Sequence, residues 1–302
     1  MKFHGVLFFP VTPFAADGSL DEERLAQHID NGVAAGAGGV FVACGTGEFH
    51  ALTSQEIERA TRIAVETTAG RVPVLAAAGG PTPVARDQAV RVERAGADGI
   101  LLLPPYLVTA PQEGLVRYVE DVTAATELPV VFYQRGTARL TEATAARLAA
   151  LPNVVGLKDG LGDVERMHRI VRAVRAVPGG QDFQFFNGLP TAEMTAPAYR
   201  GIGVGLYSSA VFAFAPEIAQ AFHRALTDGD EALVNTLLDE FYAPLVTLRD
   251  EVPGYAVALV KAGVTLRGLD VGGVRAPLID PTPEHVARLA KLIDHGLEVV
   301  AA

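Results

Sequence analysis

A lysine closing a short apolar run is the residue in this chain best suited to covalent chemistry. In Val154-Val155-Gly156-Leu157-Lys158-Asp159, strand alternation puts Val154, Gly156 and Lys158 on one face. If that face lines the inside of a packed sheet, Gly156 clears room and Lys158 loses hydration. Lost hydration disfavours the ammonium form, and a neutral amine is what attack on a ketone needs. The competing reading is a surface lysine at a strand end. Tyr133 closes the preceding apolar run, Val130–Tyr133. On a neighbouring strand its phenol could relay protons while a lysine imine forms and tautomerises; otherwise it is a half-buried aromatic bonded to water.

Gly45-Thr46-Gly47-Glu48 follows another apolar run and leads into a helical pattern from Thr53. Its glycines let backbone N–H groups turn toward an anion, and a nearby helix start favours negative charge. The segment therefore reads either as a carboxylate cradle or as a plain strand-to-helix turn. Other patterns carry less. Gly201-x-Gly203-x-Gly205 has glycines spaced like a dinucleotide loop, but it precedes a strand and lacks the third glycine. The seven histidines show no paired spacing that would ligate a metal. Asp228-Gly229-Asp230 reads as a turn, since no calcium-loop glutamate follows in register.

Lysine, tyrosine and glycine loop all need elements to hold them, and eight apolar runs supply those elements. They are Val6–Phe9, Gly39–Ala43, Val72–Ala77, Gly99–Leu103, Val130–Tyr133, Val154–Lys158, Phe183–Phe186 and Gly203–Tyr207. Apolar on both faces and each followed by a helical pattern, they read as parallel strands covered by helices. An internal echo, Ala35-Gly36-Ala37-Gly38-Gly39-Val40 against Ala95-Gly96-Ala97-Asp98-Gly99-Ile100, repeats the helix–glycine–strand unit. Eight such units predict an α/β chain folded as a (β/α)8 barrel over residues 1–225, with chemistry at the carboxyl ends of the strands. Residues 226–302 show helical patterns only, at Glu231–Arg249, Tyr255–Thr265 and Pro283–Val300, and are expected to form an appendage packed on the barrel.

Composition excludes several function classes. With 49% hydrophobic and 20% charged residues, the 302-residue chain can build a large core and is not disordered. Twenty-five Lys+Arg against 35 Asp+Glu give net charge −10, which offers no basic face for nucleic acid. Cys44 is the single cysteine, so no intrachain disulfide or cysteine-based zinc site forms. The N-terminal apolar run is cut by Pro10 and Pro13, unlike a signal peptide or anchor, and no stretch approaches the roughly 18 apolar residues of a membrane span. A soluble, cytoplasmic protein is expected.

As a set, Pro10-Val11-Thr12-Pro13-Phe14, Gly45-Thr46-Gly47-Glu48, Leu103-Pro104-Pro105-Tyr106, Tyr133 and Gly156-Leu157-Lys158-Asp159 resemble the dihydrodipicolinate synthase / N-acetylneuraminate lyase superfamily of Schiff-base barrels, in its order and at its spacing. The resemblance implies that Lys158 forms the imine, Tyr133 relays protons and Gly45 and Thr46 hold the α-carboxylate, with no metal and no organic cofactor. The synthases carry a second tyrosine after strand four, donated across a subunit interface; here Leu107 stands in that place. Glu48-Phe49, Pro104-Pro105-Tyr106-Leu107, Asn187–Glu193, Tyr207–Phe212 and Lys261-Ala262-Gly263 are similar to the branch of 5-dehydro-4-deoxyglucarate dehydratases. That branch usually has Asn where this chain has Gln134, and Gly at Cys44 or Asn187.

This likeness implies a six-carbon keto diacid as substrate, and 2,5-dioxopentanoate, water and carbon dioxide as products. Arg135, on the face of Tyr133, is the candidate for the distal carboxylate; Gly188 and Ser208 are candidates for hydrogen bonds to substrate. A homo-oligomer, tetramer or dimer, is implied, without nucleic-acid or membrane partners. The alternative is another Schiff-base aldolase or synthase of the superfamily. A keto-acid sensor that had lost catalysis would be expected to lack Lys158 or carry a DNA-binding module.

Overall fold

In the computed structural model, which describes residues 2–301, the apolar runs form one closed barrel of eight parallel strands in chain order. They are β1 (Leu7–Phe8), β2 (Gly39–Val42), β3 (Val74–Ala78), β4 (Gly99–Leu102), β5 (Val130–Gln134), β6 (Val154–Asp159), β7 (Gln184–Asn187) and β8 (Leu206–Ser209). A helix follows each strand, from Glu22–Ala34 after β1 to Pro216–Asp228 after β8. Strands β2 to β5 are buried at every position. Strands without a wet face need helices outside and side chains inside, which is what closure with a helical ring provides.

Aromatic rings fill the barrel below its mouth. Phe3 lies 5.5 Å from Phe41 and 5.6 Å from Phe186, centroid to centroid, and Phe9 stacks on Phe41 at 4.6 Å. The Gln184 side chain takes both the N–H and the C=O of Phe3, at 2.9 and 3.0 Å, and so seals the amino-terminal end of the barrel. A Cβ at Gly156 would stand 2.8 Å from the Phe186 ring and from the Gln184 carbonyl; the close packing beneath Lys158 requires glycine there.

Three expectations shift. Strand β8 starts at Leu206 instead of Gly203, because Gly203 takes φ +88° and the Val204 N–H bonds back to Tyr199 O at 2.9 Å. The chain is still leaving the preceding helix there, and the shift brings Ser208 inside β8. The expected helix over 231–249 is interrupted by a π turn at Leu238–Tyr242. Pro244 has no N–H to give the turn before it, and the wider turn absorbs that loss. Asp228-Gly229-Asp230 is the predicted turn: Gly229 (φ +81°) ends one helix and Asp230 caps the next through Leu233 N–H. The last barrel helix runs to Asp228, so the division at 225/226 falls within its final turn. Beyond it, the helix Pro283–Ala301 packs on Pro216–Asp228. Among the described residues, no helix is long and apolar enough to cross a membrane.

Candidate active site

Register places Tyr133 of β5 directly beside Lys158 of β6. Both are buried, at 3% and 5% exposure, and Lys158 Nζ stands 3.9 Å from the centre of the Tyr133 ring and 5.1 Å from that of Phe9. Asp159 is next in sequence but turns away. Its Oδ1 accepts from Gln134 Nε2 at 2.7 Å and its Oδ2 from the Tyr199 hydroxyl. Among the described residues Lys158 therefore has no carboxylate partner. Burial holds its ammonium below the ordinary lysine range; Tyr133 and Cys44 oppose the shift and the Arg135 guanidinium adds to it. Cys44, wholly buried, has its thiol pushed up to about 12 by burial, which makes it an inert filler of this wall.

The Tyr133 hydroxyl donates to Gly188 O at 2.7 Å, which fixes the phenolic oxygen beside the amine. Glycine is needed at two contacts with this pair. A Cβ at Gly188 would lie 2.7 Å from Lys158 Nζ, and one at Gly160 would lie 2.8 Å from the Tyr133 oxygen. Gly160 carries no sequence signal of its own, because the ring it makes room for stands on another strand.

The loop after β2 is bound tightly everywhere except at its donors. Thr12 Oγ1 donates to Gly47 O at 2.6 Å, Glu48 N–H to Gly45 O at 3.2 Å and Phe49 N–H to Cys44 O at 3.1 Å. Among the described residues nothing accepts from the N–H groups of Gly45, Thr46 or Gly47, and Gly45 and Thr46 face the cavity. Unpartnered backbone donors beside a glycine are suited to a carboxylate. The helix start adds nothing directly. A single short turn, Phe49–Ala51, intervenes, and Thr53 and Glu56 cap the helix Ser54–Thr68 with their own side chains.

Gly45, Thr46, Tyr133, Arg135, Lys158, Gly188 and Ser208 all line one cavity of about 410 Å³. Arg135 is exposed at its mouth, 5.9 Å from the Tyr133 ring centre, with Nη1 3.9 Å from the place a Gly45 Cβ would take. It forms no ion pair among the described residues, which leaves its fork available to an anion. Ser208 Oγ reaches Asn187 O at 3.5 Å. The appendage contributes walls the sequence did not reveal: Leu245 and Arg249 from the helix Ala243–Asp250, and Val257 and Val260 from Tyr255–Leu266. Arg249 Nη1 donates to Pro190 O at 3.0 Å and Thr191 Oγ1 at 2.9 Å, tying down the loop that holds Tyr133. Among the described residues no three His, Cys, Asp or Glu side chains gather as metal ligands. The arrangement joins a buried lysine whose ammonium form is disfavoured, a fixed phenol, unpartnered backbone donors and an unpaired guanidinium in one enclosure.

The chain as a whole is similar to known proteins. The profile described as the Dihydrodipicolinate synthetase family matches residues 2–296. A protein of Streptomyces coelicolor named "Probable 5-dehydro-4-deoxyglucarate dehydratase 1" is 59% identical over 98% of this chain and 94% of its own. A Bradyrhizobium diazoefficiens protein of the same name, without the number, is 47% identical over 96% and 91%. Among solved structures, dihydrodipicolinate synthase from Bacillus clausii superposes with a TM-score of 0.88 at 26% identity, over 96% of both chains. YagE from E. coli K12, a family protein crystallised with pyruvate, gives 0.85 at 27% identity, over 97% and 98%.

Proposed function

The chain belongs to the dihydrodipicolinate synthetase family, and from that premise we propose that it is a hydro-lyase converting 5-dehydro-4-deoxyglucarate to 2,5-dioxopentanoate, water and carbon dioxide. The name shared by its similar relatives supports the substrate. The observation that carries the chemistry is Lys158, buried beside Tyr133 with its neighbouring carboxylate turned away.

In this reading Lys158 adds to the C5 ketone while the C6 carboxylate lies on the Gly45 and Thr46 N–H groups. Tyr133 passes the protons of carbinolamine collapse, and water leaves as the imine forms. The protonated imine acidifies C4. Loss of a C4 proton gives an enamine that expels the C3 hydroxyl as water. The conjugated iminium then accepts the electron pair of the C1–C2 bond, carbon dioxide departs, and an enol is left at C2. Protonation at C4 restores the iminium, the C2 enol tautomerises to the aldehyde, and water returns to free Lys158. One proton is taken up overall. A single lysine supplies both electron sinks, dehydration first and decarboxylation second. Arg135, unpaired at the mouth, and Gly188 and Ser208 on the cavity wall are the groups we assign to the rest of the substrate.

The exposed run Tyr106, Leu107 and Val108, with Leu107 fully open at φ +67°, favours a homo-oligomer, since an isolated protomer has little reason to offer such a patch to water.

The test is mass spectrometry of products from the keto diacid, with borohydride present in a parallel run. We expect carbon dioxide and 2,5-dioxopentanoate, and one reduced adduct on Lys158 that is lost in Lys158→Ala. Pyruvate released instead of carbon dioxide would make the protein an aldolase.

A further inference from the structure

Glu48 and Lys261 are 213 positions apart and meet in the protein interior, exposed by 0% and 2%. Lys261 Nζ donates to Glu48 Oε1 at 2.9 Å and to Gly273 O at 2.6 Å, while Glu48 Oε2 accepts the N–H of Arg275 at 2.9 Å. The Phe14 ring lies under both cations, 4.2 Å from Lys261 Nζ and 4.0 Å from the Arg275 guanidinium. Arg275 continues to Glu56 on the helix after the loop. One hub thus joins the appendage to the loops after β1 and β2.

A hub of this kind is a costly way to gain stability. Taking an ammonium and a carboxylate out of water loses hydration that their attraction barely recovers, and apolar side chains of like size would hold the fold as well. Glu48 also occupies the left-handed region, at φ +60° and ψ +40°, where a side chain is unfavourable. Its backbone N–H closes on Gly45 O, so the conformation of Glu48 sets the turn in which Gly45 and Thr46 present their donors. Fixing both carboxylate oxygens from the appendage fixes that turn.

Resting on the imine reading above, we propose that Lys261 acts through Glu48 as a positioning residue, holding the Gly45–Thr46 backbone in the geometry that receives the α-carboxylate of the substrate. The appendage is then part of the binding apparatus.

The test separates carboxylate docking from imine formation by trapping two ketones on Lys158 with borohydride: pyruvate, which carries the α-carboxylate, and acetone, which does not. Glu48→Gln/Lys261→Met removes both charges at near-constant size and leaves no unpaired ion in the core. In this variant half-saturating pyruvate should rise about tenfold to a hundredfold, with the rate at saturation and acetone trapping as in wild type. Lys261→Arg keeps a cation but displaces its donor, and should raise half-saturating pyruvate several-fold by the same criterion. Unchanged pyruvate saturation in a folded variant overturns the proposal. So does a parallel fall of pyruvate and acetone trapping, which would mean general damage at Lys158. Should the double variant not fold, Lys261→Arg decides by the same outcomes. Wild-type protein that traps neither ketone refutes the imine reading and this inference with it; trapping without carbon dioxide release from the keto diacid refutes only the dehydratase reading.

Discussion

At the scale of single residues, the chemistry of Lys158 depends on what faces it. Asp159 is bonded to Gln134 and Tyr199, so burial acts on Lys158 unopposed by a carboxylate, and the neutral amine is populated at lower pH than for a solvated lysine. Trapping should therefore speed up with pH until Lys158 is deprotonated. Arg135 adds to the depression of the Lys158 pKa. Removing that cation lets the amine hold its proton longer, so Arg135→Gln should move the rising limb to higher pH. Acetone is the right probe, because it makes no use of Arg135 as a carboxylate ligand; a limb that stays in place would show that the cation is too well screened to matter. Tyr133→Phe keeps the ring that Gly160 and Gly188 pack against but deletes the hydroxyl to which we assign the relay. Turnover should fall roughly 10²–10⁴-fold, the usual scale for one acid–base group, with little change in melting temperature. A mutant with near-normal turnover would assign the relay to water.

At the scale of elements, the segment from β7 to β8 combines site and strain. Thr191 is left-handed at φ +52° and tied by Arg249. Two residues later, Glu193 is completely buried, with Oε1 accepting from Ser209 Oγ at 2.5 Å and Oε2 without a partner among the described residues. Burial pushes its carboxyl from an ordinary 4.5 up to about 7. Between those values the unfolded chain has released a proton that the folded one still holds, so stability falls as pH rises through this window and the loss persists above it. At about 1.4 kcal/mol per unit, the effect is on the order of 3 kcal/mol. Glu193→Gln should flatten the decline of melting temperature between pH 4.5 and 7 and melt higher than wild type at pH 8. Curves that decline in parallel would mean that Glu193 ionises freely in the folded state.

At the scale of the whole molecule, the question is whether one chain holds a complete site. Lys158 Nζ lies over the Tyr133 ring of its own chain, and the Tyr133 hydroxyl is held by Gly188 of that chain. Leu107, where the synthases place a tyrosine for the neighbouring subunit, is fully exposed and has no proton to give. Mixing Lys158→Ala with Tyr133→Phe and letting subunits exchange should therefore restore no carbon dioxide release, since every chain lacks one essential group. Recovery in the mixed oligomers would mean that Tyr133 serves the lysine of a neighbour.

Much of this architecture is local and was legible without coordinates. Short runs apolar on both faces, each followed by a helical pattern, read as covered parallel strands, and eight such units fit the closed barrel that forms. Alternation along β6 puts Gly156 and Lys158 on one face whatever surrounds them, and the glycines around Thr46 allow a donor-lined turn wherever it lies. The direction in which Asp159 turns, the Arg249 contact with Pro190 and Thr191, the unpaired state of Arg135 and the Glu48–Lys261 pair left no such trace. Each depends on which groups of different elements meet or fail to meet, and Glu48 and Lys261 stand 213 residues apart. Periodicity records which face a residue occupies on its own element, but not which distant side chain arrives opposite it. That is decided only when the barrel closes and the appendage folds back over its mouth, where desolvation forces every buried ionisable group to find a partner or take its neutral form.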